Sequence, residues 1–141
     1  MPTPPTPPAH TELGCELAVR RQGDSLGLAF LLSNRTSSSK TIHYFRPFLQ
    51  FDLRVLADGA DLRIVRGDFD GPAEPAVLDL PPGGTAKLET PVTLQFATTA
   101  SSPGDAFAWT VIGAPHSIEL HATLRIENES FPDCVAHVDR N

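Results

Sequence analysis

The run "SIELHATLRIEN", Ser117 to Asn128, constrains the fold more than any other stretch of the chain. Ile118, Leu120, Ala122, Leu124 and Ile126 take every second position, and Glu119, His121, Thr123, Arg125 and Glu127 fill the gaps. Successive side chains of a strand point to opposite faces, so this spacing predicts a strand with one buried and one solvated face. The same period of two recurs along the sequence. Leu13, Cys15, Leu17 and Val19 share a face, and Leu26, Leu28, Phe30 and Leu32 share another. Leu49, Phe51, Leu53 and Val55 alternate with Gln50, Asp52 and Arg54, and Phe107, Trp109 and Val111 form a further set. No window carries the apolar spacing of an amphipathic helix over several turns.

Turn residues divide these runs. Asp58-Gly59 predicts a two-residue hairpin, because glycine accepts the positive φ that tight hairpins require, with Leu62 and Ile64 continuing the return strand. Gly23-Asp24 and Pro81-Pro82-Gly83-Gly84 are further turns. Leu88, Val92, Leu94 and Phe96 carry one strand with Pro91 inside it; proline cannot donate to a ladder, so that strand is an edge or is bulged there. "DCVAHV", Asp133 to Val138, predicts a short last strand. Roughly seven to nine short strands with turn-rich gaps predict an all-β chain, a single antiparallel β-sandwich. At 141 residues it is one domain, spanning 13–141 after a Pro/Thr-rich disordered tail over 1–12.

Charge excludes some partners. The formal net charge is -6 and the 11 Lys and Arg are scattered, so the basic patch that drives phosphate binding is missing and neither nucleic acid nor an anionic membrane is expected. No stretch reaches the roughly 18 apolar residues of a membrane span. The first residues, "MPTPPTPP", lack the basic start and apolar run of a signal peptide, which predicts a cytoplasmic protein; a secreted chain whose leader has been removed would read the same.

"GDSLG", Gly23 to Gly27, spells the signature of a hydrolase family and fits the looser nucleophile pattern G-x-S-x-G. A nucleophilic Ser25 needs a strand before it, a helix after it and a histidine base, with His137 and His43 as the available candidates. Here a strand follows, the partner blocks of that family are absent, and Gly23-Asp24 reads as a turn. Serine hydrolysis is therefore the lesser reading, and no catalytic residue is assigned. The five histidines show no metal-ligand spacing, and no metal or cofactor is expected. Asp68, Asp70 and Glu74 share an oxygen-rich loop without the full calcium pattern, leaving a calcium- or carbohydrate-binding module as a further alternative. Arg66-Gly67-Asp68 is an adhesion-type tripeptide, and Asn34 and Asn128 open glycosylation sequons. "HYFRPF" places Tyr44, Phe45 and Phe48 around Arg46; clustered aromatics with arginine suit a partner-binding hot spot, and they suit a core equally.

"LLSNRTSSSKTI", "FDLRVLADGADL" and "LDLPPGGTAKLETPV" together resemble a bacterial immunoglobulin-like domain: a strand ending in Asn, a loop, a Phe-Asp strand with an Asp-Gly hairpin, then a Leu-x-Leu-Pro-x-Gly turn. The order is similar to the family of the Bacillus intracellular proteinase inhibitor and to the ApaG-type fibronectin-like domain, over roughly residues 25 to 96. The inhibitor family's tryptophan after the hairpin is replaced by Ile64-Val65, and the Gly-rich loop of the second family is absent. The resemblance implies an immunoglobulin-like (fibronectin-like) topology and a module inhibitor-like in kind; the all-β pattern and the missing catalytic set point to a non-enzymatic module that binds another protein through loops or an edge strand such as the one containing Pro91. The resemblance also implies first and last strands near one another, so that Cys15 and Cys134 can pair; in a reducing compartment two buried thiols are the alternative.

Overall fold

A computed structural model describes residues 13–99 and 106–139, so the Pro/Thr-rich segment expected over 1–12 lies outside the described residues. Eleven strands and no helix occur among them: β1 Leu13–Gln22, β2 Ser25–Asn34, β3 Lys40–Arg46, β4 Phe51–Ala57, β5 Ala60–Leu62, β6 Ile64–Val65, β7 Glu74–Leu80, β8 Thr85–Ala97, β9 Ala108–Ile112, β10 Ser117–Leu124 and β11 Cys134–Asp139. They form a five-stranded sheet in the order β1-β2-β8-β9-β6, a four-stranded sheet in the order β11-β10-β4-β5, and a two-stranded ribbon, β3-β7.

Local chemistry explains the hairpins. Gln22 pairs with Ser25 across the two-residue turn Gly23-Asp24, where Gly23 has φ +64°. Asp58 and Gly59 both have positive φ, 51° and 80°, the geometry that matches a tight turn to the twist of its strands. The strand count exceeds the expected seven to nine for two reasons: β3, Lys40–Arg46, is a strand that the alternating runs did not include, and the return strand of the Asp58-Gly59 hairpin is split. The return strand breaks after Leu62: β5 stays beside β4, while Ile64 and Val65 cross to pair with Val111 and Thr110 of β9.

The strands are not all antiparallel either, since β8 and β9 run parallel from Thr93↔Ala108 to Ala97↔Ile112. Parallel pairs favour strands covered on both faces, and Ala108 to Val111 are all buried. Pro91 marks a change of neighbour. N-terminal to it, β8 pairs only with β2; C-terminal to it, β8 lies between β2 and β9. The β2–β8 register slips between Gly27 and Ala29, opposite the Thr90–Val92 stretch, so the missing proline N–H falls in a bulge. The same strand is thus bulged at Pro91 and an edge before it.

One buried cluster joins all three sheets. Leu26, Leu28, Phe30 and Leu32 meet Phe51, Leu53, Val55, Ile118, Leu120 and Ala122, and the ribbon adds Ile42, Tyr44 and Leu80. At its centre Phe30 packs edge-on to Phe48 and Phe51 at 5.7 and 5.0 Å between ring centroids, and Phe51 leans on Trp109 at 5.3 Å. Such pairs contribute roughly 0.5–1.5 kcal/mol each beyond the area they bury.

Candidate functional site

Ser25 sits where the β1–β2 turn enters β2, opposite Gln22, with a strand after it. Among the described residues neither His43 nor His137 bonds to it. His137 instead meets Ser117: Nε2 lies 3.0 Å from Ser117 Oγ, and Asp139 Oδ1 lies 3.3 Å from the same nitrogen. Ser117 Oγ donates directly to Asp139 Oδ1 at 2.8 Å. A nucleophile–base–acid series needs the carboxylate on Nδ1 and the hydroxyl on Nε2. Here both partners share one nitrogen and the serine proton already points at the carboxylate, so the cluster is a surface hydrogen-bond triangle. Ser117 is a partner that sequence reasoning missed, because strand pairing brings it opposite Asp139.

The remaining sequence candidates separate in space. Tyr44 and Phe48 belong to the core, with ring centroids 6.0 Å apart, whereas Phe45 and Arg46 face solvent. Arg46 turns back on its neighbour, 5.9 Å above the Tyr44 ring. Tyr44, Arg46 and Phe48 line one open pocket with Pro47 and Pro91, and Phe45 faces the other side of β3. Arg66 lies 4.7 Å over Trp109, which withdraws the adhesion-type tripeptide's arginine into a cation–π contact. Among the described residues no three His, Cys, Asp or Glu are gathered to hold a metal ion. A shallow cleft of about 830 Å³ over the β1–β2–β8 face is lined by Leu31, Ser33, Arg35 and Lys87 among others, without one aromatic ring. Small-molecule sites are ordinarily more enclosed, with apolar and aromatic walls.

Both cysteines lie at a margin between sheets. Cys15 of β1 and Cys134 of β11 are joined as a disulfide with Cα atoms 5.0 Å apart, and Cys134 is fully buried. The bond links the five-stranded sheet to the four-stranded one, where β1 and β11 run side by side without being hydrogen-bonded as neighbours.

Both sequon asparagines hold backbone together. Asn34, at the end of β2, is buried; its Nδ2 donates to Ser38 O at 2.8 Å and Leu80 O at 2.9 Å, and its Oδ1 accepts from Thr36 N and Thr36 Oγ1. Its own N–H and C=O pair with Gly84 O and Gly83 N. Asn128 donates to Thr41 O at 2.6 Å and accepts from His43 N at 3.3 Å, and Gln50 Oε1 accepts from Phe45 N at 2.8 Å. Two side-chain amides thus stand in for a neighbouring strand along one margin of β3. Sequence patterning does not reveal such roles, because an asparagine in a polar loop looks the same whether or not it bonds to distant backbone.

Those bonds fix the orientation of the ribbon. Thr41, His43 and Phe45 direct their backbone groups to the capped side, so Ile42 and Tyr44 carry the ladder to β7 and face Leu78 and Ala76. Val77 and Asp79 alternate with those residues and direct their N–H and C=O away from β3. Among the described residues the ribbon has two strands, so that side of β7 is an edge. Val77 is 58% exposed there, with Phe45 40% exposed on the same outer face and Pro75 beside it. The apolar surface and unpaired backbone of this edge form the candidate site. No protein-family model matches the chain, and no curated protein matches it.

Proposed function

We propose that the protein is a non-enzymatic binding module with an immunoglobulin-like β-sandwich fold, and that it holds an extended segment of another protein by strand addition to β7. The observation that carries this reading is the β7 edge, where Val77 combines outward backbone groups with an exposed branched side chain. An added strand gains affinity from main-chain hydrogen bonds and specificity from alternate side chains. The separation of Ser25 from His137, and the sharing of one His137 nitrogen by Ser117 and Asp139, support a role without hydrolytic chemistry. The disulfide supports an oxidising compartment over the cytoplasm expected from the sequence.

The test is a displayed library of random peptides of about ten residues, panned on the wild type and on Val77→Pro. Proline removes the outward N–H without touching the ladder to β3. Peptides enriched on the wild type and lost on the variant support the reading. Enrichment indifferent to Val77→Pro, or labelling of Ser25 or Ser117 by a fluorophosphonate probe, overturns it.

A further inference from the structure

The charge around β7 points to one class of occupant. From Gly67 to Ala86 the chain carries Asp68, Asp70, Glu74 and Asp79 and no Lys, Arg or His; the paired strand β3 sets Arg46 opposite Glu74 and His43 opposite Val77, so the carboxylate on the outer face next to Val77 is that of Asp79. Asp79 has only a long contact from Thr41 Oγ1, 3.4 Å, and stays in water beside Val77. A guest strand whose central residue pairs with Val77 places that residue's side chain on the outer face, next to Val77. Guest residues two positions away fall beside Asp79 on one side and Pro75 on the other. Resting on the edge-binding reading above, we infer that the occupant is an extended segment of another protein in which a branched apolar residue is followed or preceded, at the alternate position that falls beside Asp79, by lysine or arginine.

A second copy of this chain fits the edge poorly. Antiparallel self-pairing centred on Val77 sets Asp79 opposite Pro75 of the other copy, and each proline withholds one ladder donor. It also brings the two Asp79 carboxylates and both acidic stretches together, in a chain already at net charge -6. A basic guest removes that repulsion and adds ion pairs on the exposed rim, where they favour the right partner and speed encounter.

The experiment uses two capped synthetic peptides with one alternating Val/Thr frame, carrying either Lys or Glu at the positions two before and two after the central Val. Each is titrated by fluorescence anisotropy into the wild type, Asp79→Lys and Val77→Pro, with circular dichroism confirming that each variant is folded. At low salt the Lys peptide is expected to bind about tenfold more tightly than the Glu peptide. The gap should shrink to roughly twofold at high salt, through screening, and also in Asp79→Lys. Methylation of the central peptide N–H should abolish binding to the unaltered protein, which keeps the test valid if Val77→Pro does not fold. Equal affinity for both peptides, lost in Val77→Pro or on N-methylation, overturns the charged occupant and leaves the edge reading standing. Absence of binding by either peptide to the folded wild type overturns both. A wild-type dimer in sedimentation that Val77→Pro dissociates replaces the basic segment with a second copy.

Discussion

The two strands of the β3–β7 ribbon are finished differently. Along β3, Asn128 and Gln50 bond the outward backbone of Thr41, His43 and Phe45. Along β7 nothing comparable stands beside Val77 among the described residues, and the protection there is of another kind: a proline at position 75 and carboxylates at 74 and 79. Edge strands template unwanted pairing unless they are covered, charged or interrupted. Capping closes an edge to every guest. Charge and a single proline leave most of the outward backbone uncovered. Among the described residues one ribbon therefore carries a capped margin and an uncapped one, and the margin between β1 and β11 is closed by a covalent bond.

The sharpest test of that contrast is to open the covalent margin. The disulfide spans a sequence separation of 119. In the chain-entropy model a crosslink of that span restricts the unfolded chain by about 4–5 kcal/mol. Replacing Cys15 and Cys134 together by alanine should lower the unfolding free energy by up to that amount in urea titrations, while leaving peptide binding at β7 unchanged. Alkylation of the native protein without reductant, read by mass spectrometry, should label neither cysteine. Two labelled thiols would remove the covalent margin from the comparison.

Asn34→Ala should have the next largest effect. It strips hydrogen bonds from Leu80 O, Ser38 O and Thr36 N at a buried position, and unsatisfied buried groups cost about 1–3 kcal/mol each where water cannot replace the partner. A loss of about 2–4 kcal/mol is expected by chemical denaturation, with the β7 end of the ribbon loosened because Leu80 O loses the Asn34 donor and keeps only its ladder bond to β3. A change below about 1 kcal/mol would show that the loop relaxes and that Asn34 does not set the position of β7.

Much of this architecture was legible in period and punctuation. The alternation at Ile118 to Ile126 and the Asp58-Gly59 turn survive intact, since strand faces and tight turns are local properties. The crossing at Arg63 and the parallel pairing of β9 were not legible. Whether Ile64 pairs with β4 or with β9 is decided by tertiary packing, and both sheets need an apolar residue there. The aromatic cluster at residues 44–48 shows the same limit: alternation across β3 buries Tyr44 and exposes Phe45, and the core then takes Phe48. Val77 carried no signal at all, being one apolar residue in an apolar strand. Its significance comes from the pairing on its other side.

Uncapping β3 should make the two margins alike. Asn128→Ala removes one donor and one acceptor from an exposed edge, for a loss of about 1 kcal/mol. The larger consequence is the freed backbone at Thr41 and His43, next to the exposed Phe45. Concentration-dependent self-association should appear in sedimentation of the variant and not of the wild type. A variant that stays monomeric would show that the amide cap is not what keeps this edge from pairing.

The smallest expected effect separates the ribbon from the charged outer face of the β4–β10–β11 sheet. Asp139 is held below the usual carboxylate range, chiefly by the hydrogen bond from Ser117 and also by His137, and Asp61 is held low chiefly by its hydrogen bond from Arg54. A carboxylate whose folded pKa is depressed contributes stability above its unfolded pKa, near 4, and that contribution disappears as pH falls through the lower folded value. Both groups are exposed, so water and salt screen them and the effect is slight. Urea midpoints measured downward from about pH 5 should fall more steeply in the wild type than in an Asp61→Asn, Asp139→Asn double variant. Identical slopes would mean that these surface pairs add nothing to the folded state. The resting stability of the protein would then come from the shared core and the closed margins, and the β7 edge would differ from the rest of the surface only in what it can bind.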